Sequence, residues 1–173
     1  DVIVYNGVDL SGNRPGLWLM RSDGTNTRPL TNVATDIRPV WSPDGEFVVF
    51  MSSSRDGNWE VYRVELDSGD VTRLTDDAVV ASWWSPDGRW LATLSPVGGG
   101  GDRTVQASGG GGAVASHAAD RRVQRGSALL SLKVIDADTL QTRLLGAFVP
   151  SPLFAGQYLP FFDQYARSHR LWS

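Results

Sequence analysis

The 173-residue chain has no cysteine, one lysine, two histidines and two methionines. Without cysteine there is no disulfide framework, no thiolate metal centre and no thiol nucleophile to consider. The histidines, His117 and His169, stand 52 residues apart with no HExxH spacing, so neither a metal centre nor another cofactor is expected. A bilayer-spanning helix needs about 18 consecutive apolar residues, and with no such run membrane insertion is not expected. Positive charge is also short: 16 basic against 19 acidic residues leave −3, too little to neutralise a phosphate backbone, and nucleic acid is not an expected partner. The opening Asp1-Val2-Ile3-Val4-Tyr5 lacks the charged, apolar and cleavage regions of a signal peptide. A start without Met reads as a chain processed or cut from something longer. The remaining composition, 41% hydrophobic and 20% charged, is that of an ordinary globular protein.

What the sequence does contain is repetition. Trp41-Ser42-Pro43-Asp44-Gly45 recurs 43 residues later as Trp84-Ser85-Pro86-Asp87-Gly88, and Trp172-Ser173 opens a third copy. Short β-rich runs follow each full copy, Glu46 to Met51 and Arg89 to Leu94. An outer strand pair joined by a polar turn follows in turn: Trp59 to Val64, then Asp67-Ser68-Gly69-Asp70, then Val71 to Thr75. The same outer half occurs earlier at 16–31 and later at 131–145. Four strands in about 40 to 45 residues, repeated, is the signature of a propeller blade, and a lone blade cannot cover both faces of its sheet. The fold class expected is all-β, a β-propeller of four-stranded antiparallel blades lettered A to D from the axis outward, with about three blades present. Blade one spans 1–31 (strands B to D), blade two 37–75 and blade three 80–145 with a Gly-rich insertion at 97–128. Residues 146–173 are then a loop and the first strand of a fourth blade.

The WSPDG turns, the stretch from Ser52 to Thr75 and the stretch from Leu17 to Thr31 resemble the TolB-type propeller repeat. That repeat is related in pattern to the propellers of prolyl oligopeptidase-like proteins. The resemblance covers 1–95 well and 129–145 more weakly. It implies a non-catalytic scaffold that binds protein, peptide or glycan in a periplasmic or extracytoplasmic setting, or else the propeller of a serine peptidase whose catalytic domain lies elsewhere. Propellers hold about four to eight blades, so the chain is expected to be part of a larger ring with neighbouring blades as partners. The alternative is a small ring latched by Ser168 to Trp172 beside Asp1 to Tyr5.

In a meandering blade the A–B and C–D turns lie at one end and the B–C and D–A connections at the other. The first set is short throughout. The long segments, 97–128 and 146–167, belong to the second set, together with 6–15, 52–57 and 76–80. Binding residues concentrate on loops held by a rigid scaffold, which makes this end the candidate binding face. Its candidate contacts are Arg55 and Asp56 for an anion or sugar, Asp76 and Asp77, Arg103 and His117 in the insertion, and Phe161, Phe162, Asp163, Tyr165, Arg167 and His169. Each has a plainer reading. Arg55-Asp56-Gly57-Asn58 and Asp76-Asp77 suit turns, the Gly-rich runs suit a flexible linker around a short helix at 113–124, and the aromatic segment suits a plug for the rim. A phosphate loop is excluded because no Gly-Lys-Ser/Thr follows the glycines, and no Gly-x-Ser-x-Gly elbow is present, so no catalytic residue is assigned. Trp41, Trp84 and Trp172 read as blade-packing residues.

Overall fold

The computed structural model describes residues 1–9, 11–53, 57–97 and 129–159. Their strands form three antiparallel sheets in chain order. The first holds β1 (Val2–Gly7), β2 (Gly16–Arg21) and β3 (Arg28–Pro29). The second holds β4 (Ile37–Trp41), β5 (Phe47–Ser52), β6 (Glu60–Glu65) and β7 (Val71–Arg73). The third holds β8 (Ala81–Trp84), β9 (Trp90–Pro96), β10 (Leu130–Asp136) and β11 (Thr142–Phe148). Each strand pairs with its chain neighbour, so every sheet is a meander and its B–C and D–A connections share one end.

The repeated turn explains its own sequence. Ser42 donates to Asp44 Oδ1 at 2.6 Å, and that carboxylate accepts the Glu46 N–H at 3.0 Å. The Phe47 N–H is satisfied by Ser42 Oγ at 3.1 Å. In the second copy Asp87 accepts from the Ser85 hydroxyl and the Arg89 N–H, while Ser85 Oγ receives the Trp90 N–H. Gly45 and Gly88 occupy the left-handed region at φ 79° and 74°, which glycine enters without a Cβ penalty. The Leu-Thr that ends the outer strand of the first and second sheets works similarly: Thr31 Oγ1 accepts the Leu17 N–H and Thr75 Oγ1 accepts the Val61 N–H, both at 3.0 Å.

Strand β5 is buried along its whole length, and its alternation divides it between two interfaces. Val48 and Phe50 pack with Tyr62, Val64 and Leu17 toward the first sheet, and Phe50 stacks on Tyr62 at 5.8 Å between centroids. Phe47, Val49 and Met51 pack with Val61 and Val79 against Leu91 and Ile135 of the third sheet. At roughly 1.5 to 3 kcal/mol per fully buried large apolar side chain, these two layers are what hold the sheets face to face. Trp41 borders the first cluster and Trp84 the second, where it meets Phe47 edge-on at 5.6 Å. Polar contacts cross the second junction as well: Arg63 donates to the Ala137 carbonyl at 3.2 Å, and Lys133 Nζ donates to Asp77 Oδ2 at 2.7 Å.

The chain departs from expectation after Gly146. The loop expected from that point begins later, because β11 stays paired with β10 through Phe148, with a register shift at Leu132/Lys133 that accommodates the extra residue. A short π-helical segment, Phe154–Tyr158, follows, and Phe154 and Leu159 pack against the cluster of Ala81 and Leu94 on the third sheet.

Candidate functional site

At the B–C and D–A end, the junction of the second and third sheets opens into a cleft of about 430 Å³, within the size range of ligand pockets. Its walls are mostly apolar. Ile37 enters from the start of β4, Met51 from the end of β5, Trp59 from the turn before β6, Val79 and Val80 from the link into β8, and Leu159 from the helical segment. Loop backbone fixes the rim: the Val79 N–H donates to the Trp59 carbonyl at 2.6 Å and the Val80 N–H to the Leu94 carbonyl at 2.8 Å. Trp59 is 40% exposed, unusual for an indole and suited to a contact surface.

Arg38 is the charged residue among the described residues that line the cleft. It has φ 53°, left-handed for a non-glycine residue, and directly precedes Pro39, where extended backbone is the rule. The β4–β5 register shifts between Ile37 and Val40, so Arg38 sits on an irregularity that re-aims its side chain. Its guanidinium reaches across the junction to the Val80 carbonyl at 3.4 Å. Holding an L-residue there costs about 1 to 2 kcal/mol, a cost the packing around β4 must offset.

Two polar groups lie buried nearer the first junction. Glu60, 1% exposed, accepts from Tyr62 Oη at 2.7 Å and Arg73 Nη2 at 2.6 Å. The Asp36 carboxylate is equally buried and accepts no hydrogen bond among the described residues. The carboxylates of the two WSPDG turns titrate low. Backbone donation from Glu46, then the Ser42 hydroxyl, holds Asp44 below the usual carboxylate value, and the Ser85 hydroxyl, then the Arg89 N–H, does the same for Asp87.

Of the sequence-predicted contacts, Asp76 and Asp77 are described, and neither lines the cleft. Asp77 is taken up by Lys133, and Asp76 is exposed, 4.0 Å from Arg73. Arg55, Asp56, Arg103, His117, Phe161, Phe162, Asp163, Tyr165, Arg167 and His169 lie outside the described residues, as do the helix expected at 113–124 and Trp172. Sequence reasoning missed Arg38, Trp59 and the apolar walls. The signal for Arg38 is a break in the repeat: the residue 43 positions on is Ala81, whereas Trp, Ser, Pro, Asp and Gly all recur. Among the described residues no group of three or more His, Asp or Glu could hold a metal ion, and no helix is long and apolar enough to cross a membrane.

No family model matches the chain. An uncharacterized Escherichia coli protein, YidR, is 37% identical over 88 residues, covering 45% of this chain and 19% of YidR. An uncharacterized Agrobacterium fabrum protein is 32% identical over 80 residues, covering 45% of this chain and 27% of that protein. The matches therefore span less than a third of either relative. Among solved structures, TolB from Acinetobacter baumannii superposes with a TM-score of 0.52 at 21% identity, over 80% of this chain and 28% of TolB. The β-propeller domain of the Trilobed protease from Pyrococcus furiosus, described as having an open velcro topology, gives 0.52 at 12% identity, over 87% of this chain and 39% of that one. One three-stranded and two four-stranded meanders, together with these neighbours, define the chain as part of a β-propeller, a fold shared by TolB and by peptidase propeller domains.

Proposed function

We propose that this chain is a non-catalytic, TolB-like propeller segment that binds a protein or peptide through its B–C and D–A end, as part of a larger ring in an extracytoplasmic setting. The apolar cleft between the second and third sheets carries this reading, since it lies on the loop-bearing end and its described walls are mostly apolar with an exposed indole among them. Walls of Ile, Met, Val and Leu suit an apolar peptide side chain better than the hydroxyl-covered rim of a glycan. Selection of a displayed random heptapeptide library on the chain tests it. Enriched peptides should lose binding to the Trp59→Ala variant, which removes an exposed side chain and leaves the core intact. Peptides that bind Trp59→Ala equally well would move the site elsewhere, and an absence of enrichment would sink the binding reading.

A second reading, the propeller of a prolyl oligopeptidase-like peptidase, is favoured by the likeness to the Trilobed protease propeller domain. A Gly-x-Ser-x-Gly elbow in the coding sequence beside this chain would support it. Further WSPDG copies in its place would support the scaffold.

A further inference from the structure

We infer that the outer edge of β11 is a second binding surface, which takes an extended segment of a partner protein as an added strand, apolar at most positions and carrying a carboxylate opposite Arg143. The inference is independent of the cleft and starts from a contrast between the three sheets. In a propeller the outermost strand of every blade has one edge without a neighbour, whether or not the ring is complete, and such edges are kept short or interrupted by proline and charge. β3 is two residues long and contains Pro29, and β7 is three residues long and ends in Arg73. β11 runs for seven residues, Thr142–Phe148, every one of them exposed. At about 3.3 Å per residue that edge is roughly 23 Å long, enough for a peptide strand.

Its side chains are those of a contact surface. Leu144 is 61% exposed and Leu145 49%, and Phe148 and Val149 extend the apolar run. Leu144 pairs with Lys133, two residues from Ile135, so it lies on the face that carries Ile135 against the second sheet. Its exposure is therefore not that of a sheet face awaiting the next blade. The main chain is available as well. The Asp136 N–H donates to the Gln141 carbonyl at 3.0 Å, and bonded and non-bonded pairs alternate from there, so Arg143 bonds inward to Val134 while Thr142 and Leu144 present N–H and C=O groups outward. Charge decides the occupant. Arg143 is the one charged residue of β11. Two copies of the strand paired edge to edge would bring two guanidinium groups and no carboxylate, whereas a foreign strand can set Glu or Asp opposite Arg143, a stabilising cross-strand pair. Main-chain bonds then supply affinity and the side chains selectivity.

Calorimetric titration of the whole chain with acetyl-Thr-Val-Tyr-Val-Glu-Val-Thr-amide, with amide hydrogen exchange on the complex, tests this. With the glutamate opposite Arg143 in an antiparallel strand, the valines on either side of it bond to Leu144 and Thr142. N-methylation of the valine before the glutamate should therefore abolish binding, N-methylation of the glutamate should leave it, and the Leu144 amide should gain protection. Arg143→Glu, a change at an exposed position, should weaken binding about ten-fold and favour the peptide with lysine in place of glutamate by a similar factor. Leu144→Pro removes an outward N–H without touching the ladder to β10, and should abolish binding. Equal effects of the two N-methyl groups, or protection at Trp59 in place of β11, would overturn strand addition. Protection of the Leu144 amide in the free chain that rises with protein concentration would overturn the foreign strand in favour of a second copy. Failure of both peptides to bind would overturn the inference and leave the cleft reading, whose test runs through Trp59, standing.

Discussion

Gly45 and Gly88 occupy equivalent turns with nearly the same backbone, yet a methyl group would meet different surroundings at each. At Gly45 nothing lies within 4 Å of an added Cβ, whereas at Gly88 the Pro43 ring of the preceding copy is 3.1 Å away. Gly45→Ala should therefore lose about 1 kcal/mol for the left-handed conformation alone, and Gly88→Ala clearly more, as read from urea midpoints. Removing one partner of the Glu60–Arg73 pair leaves a buried charge: Arg73→Met should cost about 3 kcal/mol, and adding Glu60→Gln should recover part of it. The turn carboxylates give an acid signature. Asp44 and Asp87 titrate below their unfolded value, so their contribution is complete above about pH 4 and is lost as pH falls through their lower folded values. The Asp44→Asn, Asp87→Asn double variant should show a shallower fall in urea midpoint below that point than wild type. An identical slope would mean these carboxylates are not linked to folding.

At the scale of the element, β5 faces two neighbours, so adjacent substitutions should act on different sheets. Val48→Ala should raise hydrogen exchange chiefly in β2, and Val49→Ala chiefly in β9 and β10. Matching exchange profiles in the two variants would show that the three sheets open as one unit. The strands were legible in the sequence because turn chemistry and strand alternation agree in each copy: Ser, Asp and Gly of WSPDG each make a contact that their residue type requires. The end of β11 was not, because Gly146 and the shifted register that accommodates it look locally like a strand stop. The cleft was less legible still. Its walls come from the ends of five different elements, each an ordinary apolar residue in its own stretch, and Arg38 is distinguished by a backbone angle that no composition reveals.

At the scale of the whole molecule, the middle sheet is packed on both faces, and the outer two carry exposed apolar residues among those described. Ile3, 40% exposed, pairs with Met20 on the side of the first sheet away from the second, and Phe148 is 39% exposed at the edge of the third. The chain should therefore self-associate with rising concentration, and Ile3→Lys with Phe148→Lys should suppress this in sedimentation velocity. A sharp 18.8 kDa species at every concentration would mean that these faces are satisfied within one chain. The contact of Gly88 with the Pro43 ring bears on this geometry from the opposite end. Two hairpins that touch set the angular step from one sheet to the next, and the number of sheets that complete a full turn is inversely proportional to that step. A methyl group at Gly88, 3.1 Å from the Pro43 ring, would press the hairpins apart by a few tenths of an ångström, so the step, and with it the ring circumference, is sensitive to the size of one side chain.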